Sequence, residues 1–254
     1  MKQSLFTVFS NRLLTPDARQ PVCEMVLEGD LIPAPGAVNR PGQFVNARLD
    51  GLFLRRPISV CDMDEAAGRL TLVYKVVGEG TAQMRDMVPG QTLDLLTGLG
   101  NGYNLSVSGE HPLLLGGGVG VPPLYGLAKR LLAVGRQVTA VLGFNTAAEV
   151  FYADEFRALG AEVVLATADG SAGVRGFVTD ALPASYSYVY TCGPEPMLRA
   201  VFRSIKTSGQ FSFEERMGCG FGACMGCSCK TVTGWKRICR EGPVLEKEEI
   251  LWEK

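Results

Sequence analysis

The sequence predicts a β + α/β protein: an N-terminal antiparallel β-barrel, a parallel-sheet α/β domain and a short C-terminal segment organised by cysteines. Three observations predict it. Up to about residue 104, short β-rich runs alternate with turn signals, the pattern of a barrel or sandwich. From Pro112 onward strand-like and helix-like stretches alternate, which implies a parallel sheet with helices on both faces. Five of the eight cysteines then fall between Met217 and Cys239. The 254 residues are enough for two cores, and 46% hydrophobic with 20% charged residues is ordinary for a soluble globular chain.

In the first domain the strand candidates are residues 5–9, 22–27, 44–49 and 70–77, with Pro41-Gly42 and Asp50-Gly51 as turn dipeptides. Two stretches carry chemistry. Arg56, Pro57, Ile58 and Ser59 join a guanidinium, a Pro-fixed turn and a hydroxyl, a set able to hold a phosphate and a flat polar ring edge. Val73, Tyr74 and Lys75 lead into Gly78-Glu79-Gly80-Thr81, where Thr81 is expected to N-cap a short helix through Met87 and offer N–H groups to a pyrophosphate. Alone, the first reads as an edge strand with surface arginines, and the second can be read as a plain strand–turn–helix joint. Together they favour a ligand. Tyr74 reads as a stacking ring or as core. Residues 97–103, TGLGNGY, read as a ligand loop or a linker, and the domain boundary is expected in the polar stretch 106–111.

In the second domain residues 113–115 read as a buried strand, followed by a glycine turn and a helix over 121–132 with Pro122 and Pro123 in its first turn. Strands are expected at 137–144, 162–167 and 186–192, and helices at 147–159, 176–182 and 195–205. Gly117, Gly118, Gly120 and Val121 form a candidate dinucleotide pyrophosphate turn. Pro123 occupies the third glycine position, so the G-x-G-x-x-G fingerprint fails, and a ligand-free tight turn is the alternative. Cys192, Gly193 and Pro194 end a later strand, where ligands gather in such sheets. Cys192 reads as core or as facing a nicotinamide ring. Residues 145–147 and 169–171 are expected near an adenosine ribose, and no Arg pair waits there for a 2′-phosphate, which leans to NAD over NADP.

The cysteines Cys219, Cys224 and Cys227 are spaced C-x4-C-x2-C, and Cys239 follows after a gap. That is the plant-type [2Fe–2S] pattern. A zinc ribbon would show two C-x2-C knuckles, and only one is present, with the sole His, His111, far away. The ligands are assigned as Cys219, Cys224, Cys227 and Cys239. Cys229 is the surplus thiol, expected to point away from Cys227 in an extended segment and to act as a small hydrophobe. Clustered thiols suggest metal in a reducing cytoplasm rather than disulfides, and the N-terminus has no signal-peptide run. Net charge −1 without a basic block argues against nucleic acid. Residues 112–128 are uncharged, but their glycines and prolines argue against a membrane span.

In order, Arg56-Pro57-Ile58-Ser59, Gly78-Glu79-Gly80-Thr81, the GGGVGVPP turn and Thr191-Cys192-Gly193-Pro194 resemble the ferredoxin–NADP reductase superfamily. The cysteine tail, with Phe213-Glu214-Glu215-Arg216-Met217 before it and Gly242-Pro243-Val244 after it, narrows this, and the chain resembles the electron-transfer subunits of type B dihydroorotate dehydrogenases over essentially its full length. The resemblance implies a flavin-binding β-barrel over 1–106, an NAD-binding domain over 107–209 and a [2Fe–2S] segment over 210–254. It implies FAD held by residues 56–59, 73–75, Gly80 and Thr81. It also implies a partner, the FMN-containing catalytic subunit that oxidises dihydroorotate to orotate, in a heterotetramer of two copies of each. Related subunits of ferredoxin:NADP reductases, sulfite reduction and sulfide dehydrogenases share these motifs, so they form the alternative.

Overall fold

The computed structural model describes residues 1–33 and 38–252. Six strands close into an antiparallel barrel: β1 Lys2–Leu13, β2 Val22–Glu28, β3 Phe44–Arg48, β4 Arg56–Asp64, β5 Arg69–Lys75 and β6 Thr92–Leu99, in spatial order β1-β2-β5-β4-β3-β6. Closure leaves no unpaired edge. Alternate residues fill the interior, among them Phe6, Met25, Leu27, Leu70, Leu72 and Leu95, all fully buried. Two of these strands are hidden in the sequence. β4 opens on Arg-Pro, which reads as a turn, and β6 runs into glycines that read as a loop.

Helix α1, Glu79–Arg85, joins β5 to β6 and sends Met84 into the barrel core. Its last carbonyls do not go unmet. Asn11 Nδ2 donates to the carbonyls of Met84 and Met87 at 2.8 and 2.9 Å. The helix starts at Glu79 with Gly78 as N-cap, so Thr81 is the third helical residue and not the expected cap. Its hydroxyl reaches back instead and accepts from the Val77 and Gly78 N–H groups at 3.0 and 3.2 Å.

The second unit is a sheet of seven strands. β7 Pro112–Gly117, β8 Thr139–Phe144, β9 Glu162–Thr167 and β10 Val174–Arg175 run to one side. β11 Tyr188–Cys192, β12 Gly209–Ser212 and β15 Val244–Glu246 run to the other. All pairs are parallel except β12 with β15. Helices α2, Pro122–Ala133, and α4, Glu195–Ser204, follow β7 and β11. The strand order therefore reverses between β7 and β11, and the crevice at their carboxyl ends is the switch point of the sheet.

Two helix expectations are corrected. The stretch 147–159 is a turn at Ala147–Glu149 and a short helix α3, Ala153–Ala158, separated by Tyr152 at φ 66°. That left-handed residue places its hydroxyl 2.6 Å from Glu24 Oε2 on the barrel, a contact that a continuous helix would not need. The stretch 176–182 is not an α-helix but a 3-10 turn at Val178–Ala181, preceded by β10.

The barrel and the sheet domain meet along α2, which lies against β4. A Cβ on Gly126 would lie 2.7 Å from the Cys61 carbonyl oxygen of β4, so only glycine allows this approach. Lys129 pairs with Asp62 across the same contact.

The C-terminal segment folds back on both units. A hairpin of β13 Ser228–Thr231 and β14 Gly234–Arg237 projects from it, and β15 joins the sheet beside β12. Trp252 packs on Phe202, Phe211 and Phe213, with the Arg199 guanidinium 4.9 Å above its ring. The glycine-rich loop after β6 is the clasp. Asn101 donates from its N–H to Gly242 O at 2.7 Å and from Nδ2 to Glu241 O and Val244 O at 3.0 and 2.7 Å. Its Oδ1 accepts from the Val244 N–H at 3.1 Å. Replacing Asn101 by Ala removes the three side-chain bonds, and a loss of about 2 kcal/mol is expected. Thermal unfolding and amide exchange over residues 241–246 measure it; unchanged exchange there would show that the clasp carries no weight.

Candidate cofactor sites

The cysteine loop is shaped by backbone that only special residues adopt. Gly220 and Gly222 have φ +77° and +92°, and Met225 has φ +61°. Added carbons at the two glycines would strike Asn46 Nδ2 at 2.4 Å and Arg240 Cδ at 2.6 Å. The turn is then pinned from outside. Arg237, at the end of β14, donates from Nη1 to Gly222 O at 2.6 Å while pairing with Glu241. The guanidinium holds the Glu241 carboxyl down to about 2.

The four expected ligands fall into two thiol pairs. The Cys219 sulfur accepts from the Ala223 and Cys224 N–H groups at 3.2 and 3.4 Å, and the Cys224 sulfur accepts from the Cys219 N–H at 3.4 Å. Cys227 and Cys239 make the second pair, with the Cys239 N–H 3.4 Å from the Cys227 sulfur. Burial raises the Cys219 thiol, but N–H groups of Phe221, Cys224 and Ala223 outweigh it and bring it down to about 6. Burial and the neighbouring Cys227 push Cys239 up to about 12. Among the described residues no three His, Cys, Asp or Glu side chains converge as one metal ion requires. A [2Fe–2S] centre has two irons, each able to take two thiolates, so two pairs with N–H groups aimed at sulfur fit it.

Cys229 needs a corrected explanation. Positions 227 and 229 are two apart and would share a face in a strand, so alternation does not separate them. The strand begins only at Ser228, after a turn closed by the Ser228 N–H on Met225 O. Cys229 lies half-buried against the same apolar cluster as Cys227 and Cys239, opposite Lys236 in the hairpin. Burial and Glu215 raise its thiol.

In the barrel the two flavin motifs meet. Arg56 to Ser59 open β4, and the Arg56 side chain crosses the start of α1: a Cβ on Gly80 would lie 2.9 Å from Arg56 Nε. The first N–H groups of α1 have no intrahelical partner, and a Cβ on Gly78 would meet nothing within 4 Å. A cationic arm beside free N–H groups and open space fits a pyrophosphate. Val73 and Tyr74 are buried at the end of β5, while Lys75 is half-buried. The Tyr74 ring is core: its hydroxyl lies 3.3 Å from Asn11 Oδ1, and burial pushes it well up.

At the switch point Cys192 pairs with Gly116 in register, which brings the two expected nucleotide motifs side by side. A Cβ on Gly120 would lie 2.3 Å from Cys192 O, and one on Gly117 would lie 2.4 Å from Met197 Sδ. Gly118 has φ +52° with nothing within 4 Å of its Cβ position, so its backbone is bare to the crevice. Val121 is buried as the cap of α2. Gly193 packs on Met197, and Pro194 caps α4. Cys192 is half-buried, and burial pushes its thiol up to about 12, so it stays neutral. Near the outer strands, Asp169 Oδ1 accepts from Ser171 N–H and Oγ at 3.0 and 2.6 Å, and Ser171 Oγ accepts from the Ala147 N–H. The two loops expected near a ribose are thus joined.

Residues 97–103 are the clearest feature that sequence reading left open. They act as the junction described above, and the signal was the positive-φ glycines around one Asn: Gly98, Gly100 and Gly102.

Comparison with known proteins agrees with this geometry. Residues 214–251 match the family model of the iron–sulfur cluster binding domain of dihydroorotate dehydrogenase B, and residues 114–203 match an oxidoreductase NAD-binding domain. A Geobacillus protein named dihydroorotate dehydrogenase B (NAD(+)), electron transfer subunit, is 43% identical over 263 residues, with 99% of each chain covered. A Fusobacterium nucleatum protein of the same name is 46% identical over 224 residues, covering 83% of this chain and 86% of its own. Among solved structures, a chain of the NADH-dependent reduced ferredoxin-NADP oxidoreductase has TM-score 0.85 at 29% identity, covering 98% of this chain and 90% of that one. A ferredoxin NADP+ reductase from Neisseria gonorrhoeae, at 17% identity and TM-score 0.65, shares the fold. The fold and these matches give the chain FAD, a [2Fe–2S] cluster and NAD as cofactors. It belongs to the family of dihydroorotate dehydrogenase B (NAD(+)) electron transfer subunits.

Proposed function

We propose that this chain carries electrons between the FMN of a dihydroorotate-oxidising partner and NAD, in a cytoplasmic heterotetramer of two copies of each subunit. The observation that supports it most is the meeting of three sites on one frame: paired thiols, the barrel motif and the switch-point crevice. A flavin exchanges a hydride with nicotinamide and single electrons with an iron–sulfur centre, so it belongs between the other two.

Each part of the chain has its task in this reading. Cys219, Cys224, Cys227 and Cys239 ligate the cluster. Arg56, Pro57, Ile58 and Ser59, with Gly80 and Thr81, hold the flavin nucleotide, and Val73, Tyr74 and Lys75 offer backbone to it. Gly117, Gly118, Gly120 and Val121 receive the NAD pyrophosphate, and Cys192, Gly193 and Pro194 border the nicotinamide. The division 1–106, 107–209 and 210–254 separates these tasks, although β15 ties the last segment into the sheet; residues 253 and 254 lie outside the described ones. Phe221 and Met225 are 40% and 53% exposed on the cluster loop and make its docking surface for the partner. Among the described residues no helix is long and apolar enough to cross a membrane. The likeness to the ferredoxin-NADP oxidoreductase chain favours one second reading, an NAD(P)H-oxidising subunit of another complex. Co-purification of an FMN subunit separates the two.

Three outcomes test this. Cys219→Ser, Cys224→Ser and Cys227→Ser are expected to abolish the [2Fe–2S] electron paramagnetic resonance signal, and Cys229→Ser to leave it nearly intact. Loss with Cys229→Ser and retention with Cys239→Ser would overturn the ligand set. Arg56→Ala removes charge-assisted hydrogen bonds of about 1.5–3 kcal/mol each, so FAD retained through purification is expected to fall; full occupancy contradicts the site. The isolated chain is expected to pass electrons from NADH to an artificial acceptor but not to oxidise dihydroorotate, because among the described residues no acid–base constellation serves proton abstraction. Adding the FMN subunit is expected to create dihydroorotate-dependent NAD⁺ reduction, weakened by Phe221→Asp. Turnover of dihydroorotate by the lone chain would refute the division of labour.

A further inference from the structure

Asn46 is a buried polar group that the sites above leave unexplained. It lies in β3, is 1% exposed, and its Oδ1 has no hydrogen-bond donor among the described residues. A buried acceptor without a donor is uncommon. It stands next to two segments, the cysteine loop around Cys219 and the strand opened by Arg56 and Pro57.

Three features place Asn46 between those segments. The first is register: Asn46 stands opposite Pro57 of the flavin motif. Pro57 has no N–H to give, and the Asn46 carbonyl accepts from Arg55 Nη1 at 3.2 Å, a nitrogen also 2.9 Å from Asp94 Oδ1. The second is its amide, whose Nδ2 donates to Cys219 O at 3.3 Å. Gly220 is bare where a Cβ would press on that nitrogen at 2.4 Å. The third is a bulge: the β3–β6 register shifts between Phe44 and Asn46. Bulges re-aim side chains and are frequent beside active sites.

We propose that Asn46 is the positioning residue of the electron step between flavin and cluster. Its amide ties the backbone of the ligand Cys219 to the strand pair that carries the flavin motif. This rests on the reading under Proposed function. In the step one electron leaves the reduced flavin and enters the oxidised cluster, NADH supplies the electrons as hydride, and no bond of Asn46 changes. Electron transfer falls steeply with separation, so a loop free to drift conducts slowly.

The test uses the chain with FAD and cluster bound, as Asn46→Leu and Asn46→Asp. Leu is close in volume and removes both the unpaired Oδ1 and the donor to Cys219 O. Asp keeps the Oδ1 acceptor but loses the donor to Cys219 O. After rapid mixing with NADH, flavin bleaching and cluster reduction are followed separately. Iron and FAD content and amide exchange over residues 217–225 are read on the same samples. In both variants contents and flavin reduction are expected to stay at the unmodified level, cluster reduction to slow about ten-fold or more, and exchange at residues 219–222 to quicken. The proposal is overturned if cluster reduction keeps pace with flavin reduction in either variant. It is also overturned if both variants lose the cluster or the flavin, since the residue would then serve folding alone. An unmodified chain whose flavin bleaches but whose cluster never reduces would instead sink the underlying reading.

Discussion

The structure depends on the junction at which one loop holds three units together. Asn101 binds the C-terminal segment through four hydrogen bonds. Two residues on, the Tyr103 N–H donates to Pro41 O on the barrel side, and its hydroxyl donates to Thr191 O in the sheet at 3.2 Å. Gly42 sits under the Tyr103 ring at φ +85°, where a Cβ would lie 2.6 Å from the ring. Gly100, at φ +76°, would meet Pro243 Cδ at the same distance. Nothing larger than hydrogen fits at either place, so the junction is set by contact and not merely tethered.

From that junction the order of the sites follows. Phe44, Leu96 and Leu99 of the barrel share one apolar cluster with Cys227, Ile238 and Cys239, and the same cluster continues through Leu113, Leu115, Val189 and Leu198 of the sheet. The cysteine loop is thereby seated on the β3–β6 side of the barrel, with β3 paired to β4, which opens on Arg56. Separately, α2 presses on β4 through Gly126 and sets the sheet's switch point against the barrel. Close-packed interiors transmit such constraints because they have little slack. A protein that moves electrons without making bonds to its substrate uses that rigidity as its main chemical contribution.

Much of this was legible in residues. The C-x4-C-x2-C spacing, the glycine turn before Pro122, and the Gly-Pro after Cys192 each express a local requirement that a one-dimensional reading can see. What remained hidden was set by tertiary contact. Thr81 looked like an N-cap because a hydroxyl near a helix start usually is one, yet the extended Gly78 took that place and left Thr81 to bond backward. Tyr152 breaks a periodic helix to reach Glu24, 128 residues away. Asn46 belongs to no motif and Asn101 sits in a glycine-rich loop that reads as ligand loop or linker, and the roles of both depend on partners from the far end of the chain, Cys219 and Val244. The thiol pairing likewise needs the hairpin that returns Cys239 to Cys227.

A close-packed frame of this kind is expected to hold flavin and cluster at a single separation. Pulsed electron paramagnetic resonance on the partly reduced chain measures the dipolar coupling between one-electron-reduced flavin and reduced cluster, and hence the distribution of distances between them. A single narrow distribution, unchanged when the partner subunit is added, is expected. A broad or two-peaked distribution that collapses only on partner binding would contradict it, because the partner and not the junction would then be setting the path.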